Sequence, residues 1–195
     1  FVEKERLFQL AQSDDHQGVA ATLGTFQYAE LADVLAAKHD APMLLLALDG
    51  IVDPRNLGAI LRSAEALGAH AVVIPKDRAA GVTAVAAKVA AGAAERIPVA
   101  RVTNLVRALE EIKEAGGWII GASAEAEGEA ARHDFKGATC LVVGGEQKGL
   151  RQLVARTCDA HVKIPLTGTT SSLNASIAAA VLLYEVQRQR RAGSP

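Results

Sequence analysis

Two short segments in the last third of the chain have the composition of ligand-binding loops. One runs over residues 142–150 and contains Gly144, Gly145 and Gly149, and the other runs over residues 164–176 and is rich in threonine and serine. Each follows an apolar run typical of a strand, and glycine and small polar residues let bare backbone come close to a ligand. Two such loops predict one shared binding pocket.

The first loop does not have the chemistry of a nucleotide phosphate cradle. Its glycine spacing matches neither GxxxxGK[ST] nor GxGxxG, so neither a P-loop nor a Rossmann dinucleotide site is supported. The carboxylate of Glu146 would repel a triphosphate but could accept hydrogen bonds from a hydroxyl, an amino group or a cationic ligand. Taken alone, Gly144 and Gly145 are equally consistent with a turn that ends a strand.

The second loop holds more polar side chains than the start of a helix needs. Its hydroxyl residues lead into a long helical stretch, for which Ser171 or Ser172 is the predicted N-cap. Asn174 is a poor choice for a first helical turn unless its amide meets a ligand or another loop. This surplus of donors and acceptors favours ligand binding over a purely structural role.

A third polar group follows the first apolar run. Asn56 is the predicted N-cap of the next helix, after Pro54 steers the chain into the turn. Arg62 lies four residues beyond Gly58, so we expect it near the helix face that Gly58 leaves open. Its partner is either Glu65, in an ion pair, or a phosphate or carboxylate ligand near the start of the helix.

Short apolar runs alternate with longer amphipathic stretches along the rest of the chain. The predicted strands are rich in Val, Ile and Leu and mostly apolar, as strands covered on both faces are. They lie at 43–48, 71–74, 97–102, 118–121, 140–143 and 161–164. Helical spacing is found at 56–67, 83–94, 104–115, 150–157 and 173–191, with Gly68 and Gly116 at two expected helix ends. The alternation predicts an α/β fold with a mostly parallel sheet and helices on both faces.

The first forty residues follow a different pattern. Residues 1–10 are charged and partly helical, residues 13–18 have the composition of a turn, and residues 26–39 have the spacing of a helix. The chain opens on Phe1, without a methionine and already within a pattern, which is typical of a fragment. We therefore expect residues 1–15 to be a linker from a missing upstream domain.

Charge narrows the ways in which this chain could bind nucleic acid. The net charge is −1 and the isoelectric point is near 6.6, so any nucleic acid must be held by a local patch. Arg188, Arg190 and Arg191 form one candidate patch. Cations at the C-terminal end of a helix also complement its dipole, which is the structural alternative.

Cysteine usage and hydropathy predict a reduced, cytoplasmic environment. Cys140 and Cys158 have no CxxC spacing and no histidine partners, so no metal site is expected and both are predicted to be free thiols. The longest apolar run is too short to cross a bilayer, and no signal sequence opens the chain, so no membrane association is expected.

Three motifs agree in order and spacing with those of a known family. They are Asn56-x-Gly58-x-x-x-Arg62, Gly144-x-Glu146-x-x-Gly149 and Ile164-Pro165 through Ser172-Leu173-Asn174-x-Ser176, and they resemble the motifs of the SpoU (TrmH) family. The match spans residues 16–191. Segments 16–19 and 88–95 resemble the subgroup that methylates a guanosine ribose in 23S rRNA.

This resemblance implies an S-adenosylmethionine-dependent RNA ribose 2′-O-methyltransferase. It implies a catalytic domain at 16–195 with a deep C-terminal trefoil knot, a homodimer, and ribosomal RNA as the partner. A transfer RNA methyltransferase, an antibiotic-resistance rRNA methyltransferase and a non-catalytic knotted RNA-binding protein are the alternatives. The stripe of Ile177, Val181 and Tyr184 on the last helix could form the dimer contact or belong to the core.

The resemblance also assigns site residues. The predicted cofactor-binding residues are Gly144, Gly145, Glu146, Gly149, Ile164, Leu166, Ser172 and Leu173. The predicted catalytic residues are Asn56, Arg62, Glu146, Ser172 and Asn174. Because a guanidinium stays protonated, the expected role of Arg62 is to hold a phosphate and stabilise an emerging alkoxide. Removal of the proton by Arg62 itself is the alternative.

Overall fold

The strands of the computed structural model form one sheet in which every pair is parallel. The structure describes residues 2–11, 18–19, 24–145 and 148–192. The strands of this part of the chain are β1 (Leu44–Asp49), β2 (Ala71–Pro75), β3 (Val99–Val102), β4 (Trp118–Ala122), β5 (Gly128–Glu129), β6 (Thr139–Gly144) and β7 (Ala160–Lys163). Their order across the sheet is β3-β2-β1-β6-β4-β7-β5. The predicted α/β fold with a mostly parallel sheet is confirmed.

Helices cover both faces of this sheet. They are α1 (Lys4–Ala11), α2 (Leu31–Ala36), α3 (Pro54–Ala66), α4 (Ala84–Ala90), α5 (Leu105–Glu114), α6 (Gln152–Thr157) and α7 (Ala175–Ala192), with 3₁₀ turns at Ala93–Glu95 and Ala130–Arg132. Leu44 and Leu46 of β1 pack in the cluster with α3, α4 and α7. Leu45 and Ala47 pack in the opposite cluster with α2, α5 and α6. Because both faces are covered, every residue of β1 is buried.

The two ends of the strands form two different edges of the molecule. We call the edge that follows the last strand residues the carboxyl edge; these residues are Asp49, Pro75, Val102, Ala122, Gly144 and Lys163. The amino edge precedes the first strand residues, which are Leu44, Ala71, Val99, Trp118, Thr139 and Ala160. Since all strands are parallel, the loops that follow β1, β6, β4 and β7 meet at the carboxyl edge, where ligands of such sheets bind.

Helix α3 begins two residues earlier than the sequence predicts. The carboxylate of Asp53 accepts a hydrogen bond from the N–H of Arg55 at 2.8 Å, and Pro54 takes the first helical position. Proline is favoured there because its missing N–H would have no partner in the helix. The prediction that Asn56 is the N-cap is therefore wrong, and Asn56 lies in the first turn.

Helix α7 begins later than predicted, at Ala175. Neither Ser171 nor Ser172 is therefore its N-cap, and that prediction is also wrong. Asn174 directly precedes the helix, and its side-chain oxygen accepts from the N–H of Ser176 at 2.8 Å. An amide oxygen that meets the second helical N–H is a favourable cap, which is the physical reason for the later start.

Other element boundaries differ from the predictions where short-range signals are weak. The predicted helix 26–39 contains only α2, because the segment before it joins the sheet through a bridge between Ala29 and Ala100. The predicted helix 83–94 ends at Ala90, since Ala91 takes a left-handed conformation. Strand β3 is shorter than predicted, and β5 was not predicted at all.

The C-terminal arginines hold α7 against the rest of the fold. Arg190 donates hydrogen bonds to the carbonyl oxygens of Pro42 and Gly137, both at 2.7 Å. Arg188 forms an ion pair with Glu185 at 2.8 Å. Two of the three cations in the candidate nucleic-acid patch thus have structural partners at the amino edge or on their own helix.

Neither cysteine forms a disulfide. Burial raises the pKa of the Cys158 thiol to about 11 and also raises the pKa of Cys140. Within the described residues, no group of His, Cys, Asp and Glu is arranged to hold a metal ion. None of the helices in that part of the chain has the length and apolar character needed to cross a membrane.

Candidate functional site

A cavity of about 550 Å³ opens at the carboxyl edge, where β6, β4 and β7 end. Its wall contains every described residue that the sequence analysis assigned to the cofactor, namely Gly144, Gly145, Gly149, Ile164, Leu166, Ser172 and Leu173. Glu146 was assigned to the same loop but lies outside the described residues. The glycine loop and the hydroxyl-rich segment therefore border one cavity.

Close backbone approaches explain the glycines of the first loop. A Cβ on Gly145 would lie 2.5 Å from the carbonyl oxygen of Gly50, and a Cβ on Gly144 would meet the backbone of Gly149. Gly149 itself has φ +59°, and its N–H donates to the carbonyl of Gly145 at 2.9 Å. The loop folds back on itself so tightly that larger residues at 144 or 145 would force it open.

One residue at the end of β1, Asp49, holds both ends of this glycine loop. Asp49, whose side chain is fully buried, accepts hydrogen bonds from Arg151 through Nε at 2.6 Å and through the backbone N–H at 2.7 Å. The backbone carbonyl of Asp49 accepts from the N–H of Gly145 at 2.9 Å. Loop residues on each side of the turn are thus tied to a single strand end.

The sequence analysis missed Asp49, although a signal was present. A single carboxylate ends the apolar run at 44–48, and a charged residue is rarely buried unless it is paired. Its partner could not be identified in advance, since Arg151 lies 102 residues further along the chain.

Two asparagines link the first motif to the third. The side-chain N–H of Asn174 donates to the side-chain oxygen of Asn56 at 3.1 Å, across the gap between α3 and the start of α7. The Asn174 oxygen also accepts from the hydroxyl of Ser176 at 2.6 Å. The Asn174 amide thus has a partner on another element, while its oxygen caps α7. Neither asparagine lines the cavity wall.

Arg62 lies on α3 but does not line the cavity. It is exposed and has no hydrogen bond or ion pair among the residues that the structure describes. The structural alternative, an ion pair with Glu65, is wrong, because Glu65 pairs with Arg96 at 2.7 Å. That hydrogen bond with Arg96 lowers the pKa of Glu65.

Gly58 has a different role from the one that the sequence suggested. We expected it to leave a helix face open beside Arg62, but α4 occupies that space. A Cβ on Gly58 would contact the carbonyl oxygen of Ala86 and would lie 2.8 Å from Cβ of Val89. The glycine therefore serves close packing of α3 against α4.

Four polar residues line the cavity that the sequence analysis did not assign. They are Ser123, Glu125, Lys148 and His161. A signal for the first two was available, since Ser123 and Glu125 directly follow β4. Polar residues after a strand of a parallel sheet lie at the edge where ligands bind.

The apolar stripe on α7 is exposed. Ile177, Val181 and Tyr184 have relative exposures of 52%, 39% and 59%. The alternative that this stripe belongs to the core of the chain is therefore wrong. The residues of α7 that face the core are instead Ala175, Ala179, Leu182, Leu183 and Val186.

Comparison with known proteins gives a consistent result. The sequence matches the SpoU rRNA Methylase family over residues 43–184. A relative from Ralstonia nicotianae, named 23S rRNA (guanosine-2′-O-)-methyltransferase RlmB, is 50% identical over 188 residues. The aligned part covers 96% of this chain and 76% of that relative.

Solved structures share the fold. The SpoU methyltransferase AviRb from Streptomyces viridochromogenes, in complex with AdoMet, superimposes with a TM-score of 0.75 at 33% identity. The match covers 83% of this chain but only 65% of AviRb. The A. aeolicus TrmH/SpoU tRNA modifying enzyme gives a TM-score of 0.71 at 28% identity, covering 83% of this chain and 81% of that one.

Proposed function

This chain belongs to the SpoU rRNA methylase family, and from that premise we propose that it transfers the methyl group of S-adenosylmethionine to the ribose 2′-hydroxyl of a guanosine in 23S rRNA. The observation that carries the proposal is the convergence of loop 144–149 and segment 164–173 on one cavity. Half of the residues aligned with the Ralstonia nicotianae enzyme are identical, so its substrate is the first to test. A ribosomal RNA substrate implies a cytoplasmic enzyme.

The cavity fits S-adenosylmethionine in size and in chemistry. Its volume, about 550 Å³, lies in the usual range for small-molecule sites. Ile164, Leu166 and Leu173 offer an apolar surface for the adenine ring, and the backbone around Gly145 would bind the adenine and ribose. Ser172 would lie near the methyl group, and the family resemblance also assigns Glu146 to the active site. When bound, the cofactor supplies an electrophilic methyl group on a sulfonium.

Arg62 would act through its charge rather than as a base. The ribose hydroxyl is a weak nucleophile, so precise placement supplies much of the rate. A guanidinium cannot release its proton near neutral pH, but it can bind a phosphate and stabilise negative charge that develops on the ribose oxygen. The exposed side chain of Arg62, which has no partner among the described residues, is available for this contact.

The Asn56–Asn174 hydrogen bond would orient the same part of the site. It joins the first turn of α3, which carries Arg62 further along, to the residue that follows Leu173 in the cavity wall. A shift of either asparagine would change the distance between the cofactor and the arginine. We therefore propose positioning roles for Asn56 and Asn174.

The path of the chain after β7 supports the proposed trefoil knot. Strand β7 lies two positions from β6, beyond β4, and yet α7 returns to pack against α3 and β6. The connecting segment 164–174 therefore crosses back past β4 toward β6, and it shares the cavity wall with described residues of the glycine loop. We propose that this crossing threads the chain through that loop.

The exposed stripe on α7 supports the proposed homodimer. Ile177, Val181 and Tyr184 form an apolar surface next to the site, and burial of such a surface against a second copy is favourable. Because Arg62 does not line the cavity of its own chain, we propose that pairing brings the arginine of one copy toward the cavity of the other.

A methyl-transfer assay tests the proposed function. The purified protein and S-adenosylmethionine are incubated with a 23S rRNA transcript, and ribose methylation is then mapped in this RNA and in RNA from cells lacking the gene. We expect one guanosine ribose to lose its methyl group in those cells and to gain it in vitro. Calorimetry that detects no cofactor binding at millimolar concentration would instead support the non-catalytic alternative.

A transfer RNA substrate is the second candidate. It is favoured by the similarity to the A. aeolicus enzyme, whose name describes tRNA modification and most of whose length this chain covers. The same mapping applied to total tRNA separates the two candidates, since each predicts a methyl group lost from only one class of RNA.

A further inference from the structure

The cations of the described chain fall into two groups. In one group each guanidinium or ammonium has a carboxylate partner; its members are Arg96, Arg107, Lys113, Arg132, Arg151 and Arg188. In the other group no carboxylate lies within ion-pair distance among the residues that the structure describes. Three members of this second group, Lys76, Arg78 and Arg101, lie together at the carboxyl edge.

A direct contact joins Arg101 to Lys76, and Arg78 follows Lys76 by two residues in the same loop. Arg101 lies near the end of β3, where it is paired with Ile74 of β2, and its guanidinium donates to the carbonyl oxygen of Lys76 at 3.2 Å. The same guanidinium lies 5.1 Å above the centre of the Tyr28 ring. A carbonyl and an aromatic face orient the cation without neutralising it, so its charge remains available to an anion.

The loop that carries Lys76 and Arg78 is held at both ends. The N–H of Lys76 donates to Val102 at 2.7 Å, and the N–H of Ala80 donates to Ile51 in the loop after β1, also at 2.7 Å. Between them, Arg78 has φ +57°, a left-handed conformation that is uncommon for a residue other than glycine. The surroundings therefore fix an unfavourable backbone geometry at an exposed cation, a pattern associated with function.

The position of this group relative to the cavity suggests what binds it. Strand β2 is separated from β6, which ends at the cavity, only by β1. Two strand spacings correspond to about 10 Å. Asp77 is the single carboxylate within loop 76–82, so the local charge is positive in a chain whose net charge is −1. A polyanion that places one nucleotide at the cavity would pass over these cations.

We propose that Lys76, Arg78 and Arg101 form a phosphate-binding track for the RNA substrate, on the β2–β3 side of the cavity. This proposal rests on the proposed function, because it assumes that the cavity receives a ribose of an RNA chain. The track adds affinity through phosphate contacts and does not read the sequence. It directs the strand that flanks the target nucleotide across β1 toward β3.

Salt-dependent binding tests the track. A variant with Lys76→Gln, Arg78→Gln and Arg101→Gln is compared with the wild type for binding to a 23S rRNA transcript over a series of KCl concentrations. Loss of three phosphate contacts to single-stranded RNA should reduce the slope of log K against log salt by about 2, and affinity at physiological salt should fall about tenfold or more. Affinity for S-adenosylmethionine should not change.

A matched control removes three charges from elsewhere. Lys38, Lys136 and Arg156 are exposed, have no ion pair among the described residues, and lie away from the carboxyl edge. Their triple glutamine variant has the same net charge as the track variant but should keep the wild-type slope. The single variant Arg78→Gln, expected to reduce the slope by about 0.7, provides the test if the triple variant fails to fold.

The results distinguish the track from the proposed function. Equal slopes for the track variant, the control variant and the wild type would overturn the track, even if the wild type methylates 23S rRNA. An equal reduction in both triple variants would also overturn it, because the effect would then follow net charge alone. A reduction confined to the track variant would support the track even if the wild type transferred no methyl group, and the proposed function alone would then fail.

Discussion

The carboxyl edge and the amino edge of the sheet contain the same hydrogen-bond pattern, in which a carboxylate accepts from one cation and one backbone N–H. At the carboxyl edge, the Asp49 carboxylate accepts from the Arg151 side chain and from a backbone N–H. At the amino edge, the Asp159 carboxylate accepts from Lys113 at 2.6 Å and from the N–H of Ile119 at 2.8 Å. Each carboxylate thus joins a strand end to a neighbouring element through one cation and one amide.

The difference between the edges lies in burial and in the residues that follow. The Asp49 side chain is fully buried, whereas that of Asp159 is 26% exposed. Partial burial alone would raise the pKa of Asp159, but hydrogen bonds from Lys113 and Ile119 outweigh it and lower the pKa. Asp49 holds a glycine loop that borders the cavity. Asp159 connects α5 to the start of β4 and does not line that cavity. The pattern stabilises both edges, and the loop composition distinguishes the edge at which we propose the cofactor site.

The largest expected effect is on methyl transfer, for which we propose a site at the carboxyl edge. Arg62→Ala should lower methyl transfer by about 100-fold or more, because the cation that we propose stabilises developing negative charge is lost. Affinity for S-adenosylmethionine should stay near the wild-type value, since the proposed contacts of Arg62 are with the RNA phosphate and ribose oxygen and not with the cofactor. Single-turnover methylation and calorimetry measure the two quantities. Arg156→Ala is the control, and an equal loss of methylation and cofactor affinity in Arg62→Ala would contradict this role.

The two carboxylates should differ in what their loss affects. Asp49→Asn should destabilise the protein by about 1.5–3 kcal/mol, because the fully buried side chain at 49 loses the charge that accepts two hydrogen bonds from Arg151. It should also weaken cofactor binding, since the glycine loop loses one attachment. Urea unfolding and calorimetry provide these measurements.

Asp159→Asn is the matched comparison at the amino edge. Its ion pair is partly exposed, so the expected destabilisation is about 1 kcal/mol or less, with cofactor affinity unchanged. If both variants lost the same cofactor affinity relative to their loss of stability, Asp49 would have no special relation to the site.

Alanine substitutions of one glycine at each edge provide a second comparison. Gly145→Ala places a Cβ against the carbonyl of Gly50 and should cost about 1–3 kcal/mol, with lower cofactor affinity because the loop must open. Gly137→Ala, just before β6, has no atom within 4 Å of the added Cβ and should leave stability and cofactor affinity nearly unchanged. Thermal unfolding with and without cofactor tests both. A tolerated alanine at 145 would contradict the close-approach explanation.

The smallest expected effect is a pH dependence that originates at the amino edge. The N–H of Leu44 donates to Nδ1 of His70 at 2.9 Å, which requires a neutral ring. Burial, together with the nearby His39 and Arg190, lowers the pKa of His70 below its ordinary value of 6.5. The unfolded chain then binds this proton more readily, so stability from His70 is complete above pH 6.5 and declines as pH falls through the folded-state pKa.

Urea unfolding between pH 7.5 and 5.5 measures this decline. In the variant His70→Gln the decline should be smaller than in the wild type, while its cofactor affinity near neutral pH should match that of the wild type. An unchanged pH profile in the variant would assign the decline to other groups.

The sequence was a good guide where local composition determined the structure. Strands β1 and β6 are continuous apolar runs buried on both faces, and the glycines after β6 signal a close backbone approach without reference to any partner. These features depend on a few neighbouring residues. They could therefore be predicted along with the convergence of the two loops.

Features that depend on distant neighbours could not be predicted. The Asp49–Arg151 pair forms only because β6 lies beside β1, and Gly58 is explained only by the position of α4. The predicted N-cap of α3 was wrong for a local reason, since Asp53 and Pro54 form a better helix start than Asn56. Sequence periodicity contains no information about which strand inserts between two others.

The position of β6 between β1 and β4 has a consequence for the folding of this protein during its synthesis on the ribosome. Strands β1, β2 and β3 pair with each other, and β4 pairs only with β6 and β7, so the sheet has no continuous centre until residues 139–144 emerge. Until then β1 and β4 each have backbone N–H and C=O groups without a strand partner. Such groups can pair with strands of other chains. Slow folding is expected from such late, long-range pairing, and protection by chaperones should matter most during synthesis of the middle third.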